Sequence, residues 1–268
     1  MQRVAAALSI AAGLMLGQTA PAQAPARPSP DLKFEVASLK PSPKDARPNG
    51  IRPAQGGLRY EASGVPLKLL IMVAYRVKAD QVVGGPGWMD TDLFDMQAKA
   101  EKPSNVEELH VMLGSLLAER FQLQFHRSTK ELPMYALTVD NGGPKLTPHE
   151  AKSAGDPWID QAQEHFLHLQ LIATFCPMDY FAWRLGQLMD LPVVDQTKLK
   201  GGYDFKLSYT RELPPGMAPD AQINGEAIDT SGPSVFEAVR QQLGLKLEKQ
   251  KGPVEILAID HVEKVSGN

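Results

Sequence analysis

Two spacings of apolar residues alternate along this chain, and together they predict an α+β protein. Helical spacing, with an apolar residue at every third or fourth position, occurs in four segments: 66–75, 104–117, 177–189 and 235–244. Shorter segments alternate apolar and polar residues, as strands with one buried face do. Clear examples are FEVASLK at 34–40, LFDMQAKA at 93–100 and FQLQF at 121–125.

Polar residues at the helix ends refine these predictions. Ser104 is expected to cap the second helix, with Glu107 three residues later completing a capping box. Ser234 is expected to cap the last helix, and Gly244 suits its C-terminal end. Asp195 ends a short strand before a turn, which favours an Asx turn.

The remaining segments are predicted from alternation and from Gly and Pro content. Segments rich in Pro and Gly at 41–57 and 211–232 are predicted to be loops, and the polar stretch at about 144–165 is predicted to be a linker. Further strands are predicted at 58–63, 134–139, 168–172, 192–195, 203–209, 245–250 and 254–263.

The order of elements repeats: strand, helix, short strand, strand, helix, strand, strand. Aligning the two halves places Asp95 with Asp204 and Pro133 with Pro253. The fold class is therefore α+β, with two tandem related lobes, each having two helices packed on small mixed or antiparallel sheets. Equivalent aspartates indicate a repeated structural hydrogen bond rather than one active site. The predicted boundaries are a Pro-rich lead-in with the first strand at 25–57, lobe 1 at 58–143, a linker at 144–166 and lobe 2 at 167–264.

The first residues are typical of a secretory signal peptide at 1–24. Arg3 precedes an apolar run at 4–17, and small residues follow in TAPAQAPA. Cleavage after Ala24 fits best, and Ala20 and Ala22 are alternatives. The mature protein is expected in the periplasm or outside the cell, without stable membrane insertion. An N-terminal helix is the other interpretation, but the prolines at 21–30 would end it.

The net charge and the cysteine content limit the partners and the chemistry that the sequence supports. The formal net charge of −3 favours neither nucleic acid nor an anionic membrane as partner. Cys176 is the single cysteine, so the chain cannot form an intramolecular disulfide. Its apolar surroundings indicate a packed side chain rather than a catalytic thiol.

The sequence contains no strong catalytic or metal-binding motif. HFLH at 165–168 lacks further zinc ligands, and neither HExxH nor G-x-S-x-G is present. No metal and no cofactor are therefore predicted. Two residues are candidate binding residues. Trp88 follows a Gly/Pro turn and serves either as an anchor of that turn or as a ligand platform; Asp195 is the second.

Several blocks resemble a large family of exported soil-bacterial proteins of unknown function, expanded in Acidobacteria. These blocks are GGPGW (84–88), MLGSLLAERFQLQFHRSTKELPMYALTV (112–139), PVVDQTKLKGGYDFKL (192–207) and the segment at 233–264 ending in IDHVEK. A related domain occurs attached to membrane metallopeptidases of the β-lactam-sensor type. Each lobe is also loosely similar to the short N-terminal domains of secretins and TonB-dependent receptors. The resemblance implies no catalytic residues.

Two functions remain open from the sequence. The first is a non-catalytic binding or interaction module of the cell envelope or secreted fraction, with an envelope protein or a small ligand as partner. Pairing at an open strand edge would suit such a module. The alternative is a hydrolase with a dispersed site between the lobes, using Asp195 or Asp260 with His261.

Overall fold

The computed structural model describes residues 32–43, 45, 50–53, 57–149, 158–163, 165–218, 221–223 and 225–265. The predicted signal peptide lies outside these residues. The helices are α1 (Leu67–Tyr75), α2 (Trp88–Thr91), α3 (Val106–Arg120), α4 (Met178–Gly186) and α5 (Val235–Leu243). None of the helices in the described ranges is long and apolar enough to cross a membrane.

Within the described residues, the strands form three four-stranded sheets and one small hairpin. The N-terminal sheet is antiparallel in the order β1-β5-β3-β2, the central sheet has the order β10-β6-β14-β4, and the C-terminal sheet has the order β7-β11-β9-β8. Their bounds are β1 (Val36–Pro41), β2 (Gly50–Pro53), β3 (Arg59–Pro66), β4 (Val82–Gly84), β5 (Leu93–Lys99), β6 (Gln124–Val139), β7 (Thr147–Pro148), β8 (Trp158–Gln163), β9 (His168–Cys176), β10 (Val193–Asp195), β11 (Tyr203–Thr210), β12 (Gln222–Ile223), β13 (Glu226–Ala227) and β14 (Leu245–His261). The predicted α+β class is confirmed.

The central sheet joins the two halves of the chain. β6 and β14 pair antiparallel along almost their whole length. β4, from the first half, pairs parallel with β14, whereas β10, from the second half, pairs parallel with β6. Each half thus supplies a short strand that pairs with the long strand of the other half. Leu257 consequently belongs to the hydrophobic cluster of the first half and Leu137 to that of the second.

Sequence analysis split each long strand in two at a proline, and this prediction was wrong. Pro133 pairs with Lys251 and Pro253 pairs with Glu131, on either side of the Leu132–Gly252 pair. The backbone N–H of Tyr135, two residues after Pro133, faces β10 by donating to the Pro192 carbonyl. The nitrogen of Pro133 therefore faces the same side as that of Tyr135, away from β14. At that position β10 has already ended, so the N–H that proline lacks costs no hydrogen bond between strands. By the same alternation, Pro253 faces away from β6.

Several other local predictions differ from the structure. The hairpin of β12 and β13 lies in the predicted loop 211–232. The N-cap of α3 is Asn105, which forms a capping box with Glu108, one residue later than predicted. The Ser104 hydroxyl instead donates to the carbonyl of Lys102. β2 lies in the predicted loop 41–57, and β7 and β8 lie in the predicted linker, where they form both edges of the C-terminal sheet. An edge strand has one neighbour and a short pairing, so its sequence pattern is weak.

The predicted structural hydrogen bond does repeat. Gly64 donates its backbone N–H to Asp95 at 2.9 Å, and Phe175 donates its backbone N–H to Asp204 at 2.8 Å. Each donor has a positive φ and lies two residues before the proline that precedes α1 or α4. The register of the neighbouring strands shifts at both places. A bulged strand followed by a helix therefore recurs in both halves, with an aspartate fixing each bulge.

Candidate functional site

A cleft of about 840 Å³ lies between the two halves. α1, α3 and the segment after α1 line it from the first half, and α4 with β10 lines it from the second. The long strands of the central sheet contribute Arg127 and residues 253–255. Its volume is within the range of small-molecule sites, about 300–1,000 Å³.

Small side chains on the facing helices leave room for this cleft. They are Ala74 on α1, Gly114 and Ala118 on α3, and Ala182 and Gly186 on α4. A Cβ atom on Gly114 would lie 3.2 Å from the Tyr75 hydroxyl, so a larger residue there would crowd that ring. The apolar spacing of these helices explains why their leucines are buried. It does not explain why these neighbouring positions, which face the cleft, carry glycine or alanine.

Arg76 connects three helices at the edge of the cleft. It follows α1 in the left-handed conformation, with a φ of 55°, and this turn directs the chain towards the second half. Its guanidinium donates to Glu107 of α3 at 2.9 Å and to Asp179 of α4 at 3.3 Å. Arg76 is the most buried partner of these pairs, with a side chain 19% exposed. The charge pairs therefore join the two halves in a partly desolvated setting.

Lys78 makes a second connection across the cleft. Its ammonium group donates to the carbonyl of Gly186, the last residue of α4, at 2.6 Å and to that of Met189, three residues beyond the helix, at 2.5 Å. Carbonyls at a helix C-terminus lack intrahelical donors and carry partial negative charge, so a cation is favourable there. Desolvation lowers the pKa of Lys78, against the opposing effects of Asp80 and Asp190.

The cleft wall on the central sheet is also hydrogen bonded. Gln81 is buried; its Oε1 accepts from the backbone N–H of Lys78, and its Nε2 donates to the carbonyl of Glu255 at 2.7 Å. Arg127 forms an ion pair with the Glu255 carboxylate. The Arg127 guanidinium also lies 5.7 Å from the centre of the Tyr75 ring, within cation–π range.

His110 is the most unusual polar residue of the cleft wall. Only 4% of it is exposed, although it lies on the apolar face of α3. Its ring is 5.7 Å from Trp183 in an edge-on arrangement. Burial, assisted by the nearby positive charges of Arg76 and Arg184, lowers the pKa of His110 to about 3, so the imidazole is neutral at physiological pH. His110 Nδ1 and Trp183 Nε1 are buried and lack hydrogen-bond partners among the described residues.

The two candidate binding residues from the sequence lie in different places. Asp195 lines the cleft, and its Oδ1 accepts from the backbone N–H and the hydroxyl of Thr197. This arrangement is the predicted Asx turn. Trp88 is not among the cleft residues; it begins α2 and packs on Phe94 and Phe121.

The side chains considered for hydrolysis do not converge. Asp260 hydrogen bonds to His126 on the long strands, and His261 hydrogen bonds to Glu263. Neither Asp260 nor His261 lines the cleft with Asp195. Cys176 is fully buried in the hydrophobic cluster of the second half, and desolvation raises the pKa of its thiol. No group of three or more potential metal ligands occurs in the described part of the chain.

Sequence reasoning missed Arg76, Lys78, His110 and Trp183. One signal was present: His110 lies between Leu109 and Met112 on a helix face that is otherwise apolar. A histidine in that position is a candidate buried imidazole. Arg76 and Lys78 gave no signal, because their partners are about 30 to 110 residues away along the chain.

A protein family of unknown function, DUF3738, matches residues 68–262. The chain belongs to the DUF3738 family. The match begins inside α1 and ends just after β14, so it leaves out β1, β2 and β3 but includes both long strands, the second half and most of the residues that line the cleft. No curated protein and no solved structure gives a significant match to the chain.

Proposed function

We propose that this DUF3738 protein is a non-catalytic binding protein whose ligand occupies the cleft between the two halves. The cleft itself carries this proposal. It has the volume of a small-molecule site, its walls come from both halves, and small residues keep it open. The ionic groups around it bind one another or backbone carbonyls, which favours a stable wall over a reactive centre.

The proposed location is the periplasm or the extracellular space. The apolar run and small-residue pattern of residues 1–24 support it, as does the resemblance to exported soil-bacterial proteins. We expect the mature protein to begin at Pro25. N-terminal sequencing of protein recovered from a periplasmic fraction or from culture medium would test this, and an intact Met1 in cell lysate alone would contradict it.

Filling the cleft tests the binding function. Ala118 is exposed, lines the cleft and lies on α3, so Ala118→Trp should block the site without disturbing a core. Gln241→Trp, on the exposed face of α5 and outside the cleft, is the matched control. A ligand bound to the folded state stabilises it by about 2.7 kcal/mol at 100 times its Kd.

We expect compounds from a small-molecule screen to raise the Tm of the native protein and of Gln241→Trp, but not that of Ala118→Trp. Equal stabilisation of all three proteins would place binding outside the cleft and contradict the proposal. Chromatography of the incubated compounds provides the second readout. Turnover that is lost in Asp260→Ala would favour the alternative hydrolase.

A further inference from the structure

Three of the four basic side chains that line the cleft, Arg76, Lys78 and Arg127, are engaged by the protein, and the fourth, Lys33, is exposed to solvent. Arg76 holds two carboxylates, those of Glu107 and Asp179. An anionic ligand at this place would have to displace one of them. A cationic ligand would have to compete with a guanidinium that is mostly shielded from water, with a side chain 19% exposed. Either exchange leaves a partly buried charge without its partner, which is unfavourable.

The other two cations that are fixed in the cleft have partners as well. Arg127 pairs with Glu255 and lies beside the Tyr75 ring. The Lys78 ammonium group donates to the carbonyl of Gly186, at the end of α4, and to that of Met189 in the segment after it. Across the whole lining, four basic side chains stand against five acidic ones, so the cleft has almost no net charge with which to attract an ion.

The surface between these charged groups is apolar. Val77 and Val111 contribute from the first half, and Val193, Val194 and Trp183 contribute from the second. Flat rings gain dispersion and edge-on contacts against aromatic side chains such as Trp183. Transfer of apolar area from water to such walls is favourable, whereas burial of a charge that lacks a partner is not.

Two buried polar atoms at the wall lack a hydrogen-bond partner within the described ranges. They are Nδ1 of the neutral His110 and Nε1 of Trp183, on rings 5.7 Å apart. Buried polar atoms in proteins are nearly always hydrogen bonded to protein, water or ligand. An indole N–H donates, and a neutral imidazole both donates and accepts, so a small shift of these rings would let them bind one polar group of a guest.

We propose that the cleft takes an uncharged, mostly apolar ring compound that carries a hydrogen-bonding group. This inference rests on the proposed binding function and specifies its ligand class. The nearly balanced charge of the lining and the pairing of Arg76, Lys78 and Arg127 disfavour net charge on the guest. The valines and Trp183 favour rings, and His110 with Trp183 favours one polar group near them.

Two dyes with one scaffold test the ligand class. N-phenyl-1-naphthylamine is uncharged, and 8-anilino-1-naphthalenesulfonate adds a sulfonate to the same rings. We expect the neutral dye to bind the full mature chain with energy transfer from Trp183, and the sulfonate to bind at least about tenfold more weakly. Energy transfer should fall in Trp183→Phe and persist in Trp88→Phe, since Trp88 lies outside the cleft. A cooperative thermal transition checks that each variant is folded.

Ala118→Trp and Gln241→Trp assign the bound dye to the cleft. The sulfonate dye could bind as tightly as the neutral dye and lose binding only in Ala118→Trp. That result would overturn the ligand class while leaving the binding function in place. Absence of Ala118-dependent binding by either dye would also overturn the ligand class. The binding function would then be decided separately by the compound screen, whose readout does not depend on these dyes.

Discussion

Asp95 and Asp204 hold equivalent backbone groups in the two halves, but their outer partners differ. The Ser42 hydroxyl donates to Asp95 at 2.6 Å, whereas His149 Nδ1 bonds to Asp204 at 2.8 Å. The inner donors are the backbone N–H groups of Gly64 and Phe175. The strand that leads into α1 and the strand that leads into α4 are therefore held by the same backbone hydrogen bond to an aspartate. The second partner of that aspartate differs between the two halves.

Replacement of either aspartate should destabilise the protein. The Ser42 hydrogen bond lowers the pKa of Asp95 most; desolvation opposes it, and Gly64 and Ser63 add to it. Desolvation is the largest influence on Asp204, but hydrogen bonds from Phe175 and His149 outweigh it and lower the pKa of Asp204 overall. We expect Asp95→Asn and Asp204→Asn each to lower the free energy of unfolding at neutral pH by about 1–3 kcal/mol.

The lowered pKa values of Asp95 and Asp204 determine how the free energy of unfolding depends on pH. A lowered folded pKa adds stability that is complete above the ordinary aspartate value of 3.8 and is lost as the pH falls through the folded pKa. Asp95→Asn should therefore differ less from the native protein at pH 2 than at pH 7 in urea unfolding. Glu131→Gln, at an exposed position of β6, is the control. A difference that does not change with pH would contradict the assignment.

His110 should make the free energy of unfolding rise with pH over a higher pH range than the two aspartates do. Above its ordinary pKa of 6.5 the imidazole is neutral in both states, whereas below that value the unfolded chain binds a proton that the folded protein, with a pKa of about 3, does not. One such proton corresponds to about 1.4 kcal/mol per pH unit. Between pH 6 and pH 4, His110→Gln should reduce the slope by this amount, as measured by urea unfolding. An unchanged slope in His110→Gln would contradict this assignment.

Lys78 should contribute more to stability than an ordinary surface lysine. Hydrogen bonds that involve a charged group contribute about 1.5–3 kcal/mol, and Lys78 makes two of them across the cleft. We expect Lys78→Met to lower the free energy of unfolding by an amount in this range. Lys99→Met is the matched control, because its ion pair with Glu35 is largely exposed and such pairs contribute about 0–1 kcal/mol. Equal effects of the two substitutions would contradict the role given to Lys78.

The position of each backbone N–H should decide where proline is tolerated in the long strands. Pro133→Ala should change stability by less than about 1 kcal/mol, because no ladder bond is gained towards β14. Lys130, by alternation, directs its N–H into the ladder with β14, opposite Val254. Lys130→Pro should therefore lower the denaturation midpoint much further, as thermal unfolding would show. A larger loss in Pro133→Ala would contradict this register.

The faces and ends of most helices were accessible from the sequence because they depend on local patterns. Leu67, Leu70, Ile71 and Ala74 are all buried in α1, as their helical spacing predicts. The cap at Ser234 and the C-terminal Gly244 of α5 were likewise predicted, since a cap involves residues within one turn of the helix. The shift of the α3 cap from Ser104 to Asn105 shows the limit of this reasoning: both residues can cap, and each has a glutamate three residues later.

Amino-acid order by itself thus determined the α+β class, the faces of the helices and the equivalence of Asp95 with Asp204. The tertiary structure alone decided that β4 pairs with β14 while β10 pairs with β6, and so that a cleft lies between the halves. The physical reason is that strand pairing and ion pairs such as Arg76 with Asp179 join residues about a hundred positions apart. Periodicity records which face of an element is buried, but not which distant segment covers it.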